Sequence, residues 1–110
     1  MKDIDVYISV NDYIITTTGD IKENVITCVD NNDKITLVKF DIVNFVLIRD
    51  NDDVRINIDF KNKRLDYYFK IYDRVMNFDI EVEEFNREGN KFFIKYVYEN
   101  QEFFLKIEYK

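Results

Sequence analysis

The stretch Met76-Asn77-Phe78-Asp79-Ile80-Glu81-Val82-Glu83 places an apolar residue at every second position. Successive side chains of a β-strand point to opposite faces of the sheet, so this spacing predicts a strand with one buried face. Residues 4–10 and 54–60 alternate in the same way, and no segment shows helical spacing. The chain is therefore predicted to be all-β. Its predicted core includes Ile56, Ile58, Phe69, Phe78, Ile80, Ile94 and Leu105.

The composition agrees with this pattern. Ile, Val, Phe, Tyr and Thr, the residues enriched in strands, supply 49 of the 110 residues, whereas Ala is absent. A chain of this length can form one core without metals or disulfides. We therefore expect a single all-β barrel domain over residues 1–110.

Short links between the strands predict the topology. Ten segments are expected, and turn-length links join them, so sequential neighbours should pair antiparallel in an up-and-down meander. Closing this meander into a small barrel would remove both sheet edges, and an open β-sandwich is the alternative. The segments are 3–10, 13–18, 24–30, 34–40, 44–50, 54–60, 65–71, 75–84, 91–99 and 102–109.

Two hairpins predict a specific register. A two-residue turn at Asn100-Gln101 would place Tyr98 opposite Phe103, and the link 61–64 would place Phe60 opposite Leu65. Each hairpin then has one wholly apolar or aromatic face. A slip of one residue would scatter that face.

The charge and the cysteine content of the sequence predict which partners the protein lacks and which cellular compartment it occupies. The net charge of −6 argues against nucleic-acid and anionic-membrane partners, which require clustered Lys and Arg. The lone Cys28 has no partner for an intramolecular disulfide, which is typical of a reducing cytosol. With no signal-peptide core and no long apolar run, the sequence predicts a cytoplasmic protein.

The sequence contains no recognisable catalytic machinery. Histidine is absent, Ser9 is the one serine, and no Gly-rich phosphate loop is present. The usual general base and the commonest metal ligand are thus both lacking. We expect no catalytic residues, metal site or cofactor, and hence no enzyme.

Arg49 and a set of tyrosines are the candidate ligand-binding residues. Arg49 shares the inward parity of Phe45 and Leu47, so it forms an ion pair, contacts an anionic ligand or remains exposed. The tyrosines either cap a packed core with their hydroxyls in water or line a partly hollow barrel that holds a small amphipathic ligand. They are Tyr67, Tyr96, Tyr98 and Tyr109.

Three apolar residues fall on the predicted outer face of the last hairpin. Phe93, Val97 and Phe104 are either covered by another segment or form a patch for a partner protein or a homodimer. The two open functions are therefore a non-enzymatic barrel that binds a small apolar or amphipathic ligand, and a protein-interaction module that uses this outer face.

Five short pieces between Thr17 and the C-terminus carry a resemblance to a known family. They are Thr17-Thr18-Gly19, Ile35-Thr36-Leu37-Val38, Val46-Leu47-Ile48-Arg49-Asp50, Tyr67-Tyr68 and Ile94-Lys95-Tyr96. In these pieces the chain resembles the YwiB-like proteins, a bacterial family of small calycin-type (lipocalin-like) barrels whose function is not known. The resemblance implies a closed barrel and a bacterial source, and it implies no activity.

Overall fold

The protein forms one antiparallel sheet of eleven strands that curls into a nearly closed barrel. The computed structural model describes residues 2–32 and 34–110, so Met1 and Asp33 of the predicted domain lie outside the described residues. No helix occurs in the described part. The strands are β1 Lys2–Val10, β2 Tyr13–Lys22, β3 Val25–Asp30, β4 Thr36–Asp41, β5 Val46–Asp50, β6 Val54–Asp59, β7 Arg64–Phe69, β8 Arg74–Asp79, β9 Glu81–Glu88, β10 Lys91–Tyr98 and β11 Gln101–Tyr109.

The strand order confirms the predicted up-and-down meander. It runs β8-β7-β6-β5-β4-β3-β2-β1-β11-β10-β9, so β1 also pairs with β11 and brings the two ends of the chain together. The backbones of Asp5 and Lys110 exchange two hydrogen bonds of 3.0 Å. Closure leaves one seam, and the sandwich alternative does not form.

The seam lies where the chain passes directly from β8 to β9. These strands stand at opposite ends of the sheet order, yet only Ile80 separates them in sequence. Residues 74–88 thus form one extended segment whose first half pairs with β7 and whose second half pairs with β10. The prediction of one strand over 75–84 followed by a link over 85–90 was wrong, because β9 continues to Glu88.

Aromatic side chains cross the seam in place of a backbone ladder. Phe85 of β9 packs edge-on against Phe45 in the β4–β5 turn, with ring centroids 4.6 Å apart. Phe78 of β8 meets Tyr98 of β10 at 5.5 Å. The Ile80 N–H donates a 3.0 Å hydrogen bond to the Lys63 carbonyl. Phe85 and Ile80 thus hold the free edge at the seam against the β4–β5 and β6–β7 turns.

Both predicted hairpin registers were wrong by two residues. Tyr98 lies opposite Gln101, and Ile58, not Phe60, lies opposite Leu65. The β10–β11 turn is Glu99-Asn100, and both residues have positive φ (51° and 62°), as a two-residue type I′ turn requires. A shift of two residues preserves strand parity, so the apolar faces remain as predicted.

Gly19 lies within β2 and not in the predicted link over 19–23. A Cβ atom at this position would lie 2.3 Å from the Thr27 carbonyl oxygen and 2.9 Å from the Cys28 Cβ. Glycine is therefore required because β2 and β3 approach closely, and the turn forms further on at Glu23-Asn24.

A single cluster of buried apolar side chains fills the middle of the barrel. Phe40 and Phe92 pack edge-on at 5.2 Å near its centre, and Ile94, Leu105 and Ile107 are fully enclosed. Of the seven predicted core residues, four are buried: Ile58, Ile80, Ile94 and Leu105. Ile56 and Phe78 are half-buried against the cluster, and Phe69 is half-buried outside it.

Candidate functional site

A buried carboxylate lies at one end of the barrel, where β3 stops. Asp30 follows the inward parity of Ile26 and Cys28 and is only 1% exposed. Its carboxylate accepts hydrogen bonds from the Tyr13 hydroxyl and from the Asn32 backbone N–H at 2.9 Å. Burying a charge in this way requires compensation, and these donors supply part of it.

Arg49 supplies the remaining compensation from β5. Its Nη2 lies 3.3 Å from Asp30 Oδ2, and this single contact is not the bidentate pairing that a guanidinium can make. The guanidinium also lies over the Tyr13 ring at 5.4 Å. Within the described part of the chain, the buried Arg49 Nε has no hydrogen-bond partner. The ion pair is therefore present, but it leaves donors of Arg49 unused.

A shallow pocket of about 200 Å³ opens beside this pair. Tyr13, Asp30, Lys34, Thr36 and Arg49 line it. Lys34 forms an ion pair with Asp53 at the rim, so the described residues at this pocket supply two cationic groups, Lys34 and Arg49, and two anionic groups, Asp30 and Asp53. Alternate turns of a meander lie at the same end of the barrel. The end that contains Arg49, here called the Arg49 end, therefore also includes the β5–β6, β7–β8 and β10–β11 turns.

An inward-facing row connects Arg49 to an open apolar surface. Arg49 pairs directly with Ile56 on β6, Ile56 with Tyr67 on β7, and Tyr67 with Met76 on β8. Met76 is 43% exposed although it lies on the inner face, because β8 has no strand on its other side at the seam. A second pocket, of about 520 Å³, lies here between Phe69, Tyr72, Arg74 and Met76.

Two of the other predicted tyrosines, Tyr96 and Tyr98, lie on β10, and Tyr98 contacts Phe78 of β8 across the seam. Tyr96 is buried, stacked on Phe103 at 5.2 Å and edge-on to Phe60 at 5.3 Å. Burial and the neighbouring Tyr98 raise the pKa of Tyr96 to about 12, against a smaller lowering by the charge of Arg49. Tyr98 is half-buried against Phe103, and its burial raises its pKa.

Tyr109 does not join this group. It lies opposite Val6 near the end of β11, and β11 leaves the Arg49 end at its first residues. Of the predicted ligand-binding residues, the structure thus brings Arg49 and Tyr67 into one row. Tyr96 and Tyr98 lie on β10, on the other side of the seam, and Tyr109 lies towards the opposite end of the barrel.

The predicted outer patch consists of neighbours interleaved with charges. Phe93 and Phe104 have ring centroids 6.4 Å apart, and Phe104 is 41% exposed. Lys95 lies opposite Phe104, 5.5 Å above its ring, and is 3.2 Å from Glu83. Val97 is half-buried opposite Glu102. Phe93 and Phe104 therefore adjoin each other, whereas Lys95 lies between Phe93 and Val97 along β10.

Sequence reasoning missed three residues of this end of the barrel: Tyr13, Asp30 and Met76. For Asp30, the signal was present, because it shares the inward parity of Ile26 and Cys28 at the end of the predicted segment 24–30. The exposure of Met76 depends on the seam, which no local pattern indicates. Tyr13 is recognisable only through its bond to Asp30, seventeen positions away.

The remaining reactive groups offer no obvious chemistry. Burial, with a contribution from Asp30, raises the pKa of the Cys28 thiol to about 11, so the thiol stays protonated and weakly nucleophilic at neutral pH. No group of three or more His, Cys, Asp or Glu side chains within residues 2–32 and 34–110 is placed to hold a metal ion. Those residues also include no helix with the length and apolar character to cross a membrane.

Comparison of the chain with protein-family models, with curated proteins and with solved structures finds no match in any of the three. The resemblance to the YwiB-like barrels therefore stays a prediction.

Proposed function

We propose that this barrel is a non-enzymatic binding protein that holds a small amphipathic molecule at its Arg49 end. The observation that carries the proposal is the uncovered inner face of β8. Met76 is 43% exposed on the side of the sheet that elsewhere forms the core, and it lies in a pocket with Phe69 and Tyr72. Exposed apolar surface in a concave setting is a typical feature of ligand sites.

The physical driving force would be the burial of this surface. The middle of the barrel is already filled, so a ligand has room at the end and not at the centre. An apolar group placed against Met76 and Phe69 removes apolar area from water on both partners. Methionine suits such a surface because its flexible thioether adapts to the shape of the bound group.

Binding can be tested with N-phenylnaphthylamine, an uncharged probe that fluoresces in apolar sites. We expect saturable binding to the wild type and a loss of at least about tenfold in affinity for Met76→Glu, because the new charge would be desolvated. Val75→Glu is the matched control, since Val75 is the exposed neighbour on the outer face of the same strand. Absence of binding, or equal losses in both variants, would contradict the proposal.

The cellular setting is part of the same proposal. A buried, unpaired Cys28 and a net charge of −6 support a cytosolic accessory protein with no nucleic-acid or membrane partner. Membership of the bacterial calycin-like barrels would agree with this role.

The outer face of the last hairpin supports a second candidate, self-association or binding of a partner protein. The observation in its favour is the adjacency of Phe93 and the 41% exposed Phe104. Sedimentation velocity over a concentration series tests the homodimer. Phe104→Lys should abolish a dimer formed here, whereas Val43→Lys, at a somewhat more exposed position in the β4–β5 turn, should leave it intact. A monomer at all concentrations argues against self-association.

A further inference from the structure

We propose that the ligand of the Arg49 end carries a carboxylate, which binds Arg49 while its apolar tail lies along Ile56, Tyr67 and Met76. This inference rests on the proposed function and names the chemical class of the ligand. It depends on three observations: the unused donors of Arg49, the way Asp30 holds the guanidinium, and the row that leads from Arg49 to the exposed face of β8.

The described residues use only a small part of the hydrogen-bonding capacity of Arg49. A guanidinium has five N–H donors, and the described hydrogen bonds of Arg49 consist of one, from Nη2 to Asp30. The Nε is buried and has no hydrogen-bond partner among residues 2–32 and 34–110, which is unfavourable in the unliganded protein. A carboxylate accepts two parallel hydrogen bonds from a guanidinium, so it would satisfy Nε and a second donor at once.

Asp30 acts in this arrangement as a positioning residue. Its carboxylate is almost fully buried and is held by Tyr13, by the Asn32 N–H and by Arg49, so it has little freedom to move. It fixes one edge of the guanidinium and leaves the others free. Lys34 lines the same pocket, and its charge is already paired with Asp53, so Arg49 is the cation left for the bound carboxylate among the described lining residues.

The inner row sets the dimensions of the ligand. Arg49 and Met76 are separated by three strand spacings, which correspond to about 14 Å at about 4.8 Å per spacing. The side chains between them, Ile56 and Tyr67, are apolar or aromatic and half-buried. A carboxylate with an unbranched alkyl tail of about this reach would contact the full row.

The test compares decanoate, decanol and decyltrimethylammonium as competitors of N-phenylnaphthylamine on the wild-type protein, all below their micelle concentrations. We expect decanoate to compete about tenfold to a hundredfold better than decanol, the effect of a charge-assisted hydrogen-bonded pair, and the cation to compete worst. The series requires no substitution, so it does not depend on the folding of a variant.

Substitutions of arginines locate the head group. Arg49→Gln should remove the preference for decanoate over decanol, and Arg55→Gln, which removes the same charge from the exposed outer face of β6, should keep it. Arg74→Gln, beside Met76, tests the reverse orientation of the ligand. Arg49→Lys should retain only part of the preference, because an ammonium lacks the planar fork.

The outcomes separate this inference from the proposed function. Probe binding with equal competition by decanoate and decanol would overturn the carboxylate and leave the binding site standing. Loss of the preference in Arg74→Gln but not in Arg49→Gln would also overturn it, because the ligand would then bind in the reverse direction. Failure of the probe and of all three competitors to bind would overturn both proposals.

Discussion

Asp30 and Arg49 show how a few residues can place a charge inside a barrel whose buried side chains are mostly apolar. Asp30 is held by donors from β2, from the residues that follow β3 and from β5. Because these donors come from different elements, the carboxylate links three parts of the sheet at one end. Removing its charge should therefore affect stability more than removing a surface charge does.

We expect Asp30→Asn to lower the free energy of unfolding by about 2–4 kcal/mol, since it leaves Arg49 without its partner and turns an acceptor into a donor that faces other donors. Urea unfolding measures this change. Asp12→Asn, in the exposed β1–β2 turn, is the control and should change the free energy by less than about 0.5 kcal/mol. A loss below about 1 kcal/mol for Asp30→Asn would mean that the buried pair contributes little.

Tyr96 should give a pH-dependent contribution to stability. Its pKa is about 12 in the folded protein, above the value of about 10 for an unfolded chain, so the folded state favours the neutral phenol. This contribution is complete below about pH 10 and is lost as the pH rises towards about 12. The wild type should therefore lose more stability than Tyr96→Phe between about pH 9 and about pH 12 in urea unfolding experiments. Equal losses would show that folding does not raise the pKa of Tyr96.

Parts of this residue-scale picture can be predicted from the sequence. Strand parity identified Arg49 as inward-facing and left an ion pair among its roles, but it could not name Asp30, because that contact depends on how β3, β4 and β5 lie side by side. The inward position of Asp30 was readable from Ile26 and Cys28. The separation of Tyr109 from Arg49 required the register of the whole barrel.

At the scale of single elements, β9 is the least supported strand. Among the strands of the described residues it pairs with β10 alone, and a bulge between Lys95 and Tyr96 interrupts that ladder. Its other edge is held by side chains, chiefly by Phe85 against Phe45. Irregular pairing and charged side chains are common protections of a free strand edge, and β9 has both.

Phe85→Ala should therefore loosen the seam. We expect a loss of about 1–2 kcal/mol in the free energy of unfolding from the lost aromatic pair and its packing, and faster amide exchange in Glu81–Glu88. Phe104→Ala is a closely matched control, because both phenylalanines are about two-fifths exposed, but Phe104 lies on the outer face. Similar exchange of β9 in the two variants would indicate that Phe85 does not hold the seam.

The limits of sequence analysis are clearest in the turns. Alternation predicted where strands exist and which face is buried, whereas boundaries and registers depended on φ values that Glu99 and Lys63 adopt without glycine. Gly19 suggested a turn, and its reason for being glycine is a tertiary contact with Thr27. Local patterns cannot indicate such contacts between strands.

The molecule as a whole divides into a packed centre and a more open Arg49 end. We expect Phe40→Ala to cost about 3–5 kcal/mol, because Phe40 is fully enclosed, and Phe78→Ala to cost less, about 1–3 kcal/mol, because Phe78 is half-buried beside the seam. Thermal or urea unfolding of both variants gives the comparison. An equal cost would mean that the seam is packed as tightly as the centre.

The passage from β8 to β9 without a loop has an evolutionary consequence. Elsewhere in the chain, a turn such as Gly89-Asn90 can absorb an inserted or deleted residue without disturbing its neighbours. Within residues 74–88, a change of one residue would turn the side chains of one half to the wrong face, since one half is anchored to β7 and the other to β10. Homologous chains should therefore vary in length at their turns and keep the spacing between Phe78 and Phe85 constant.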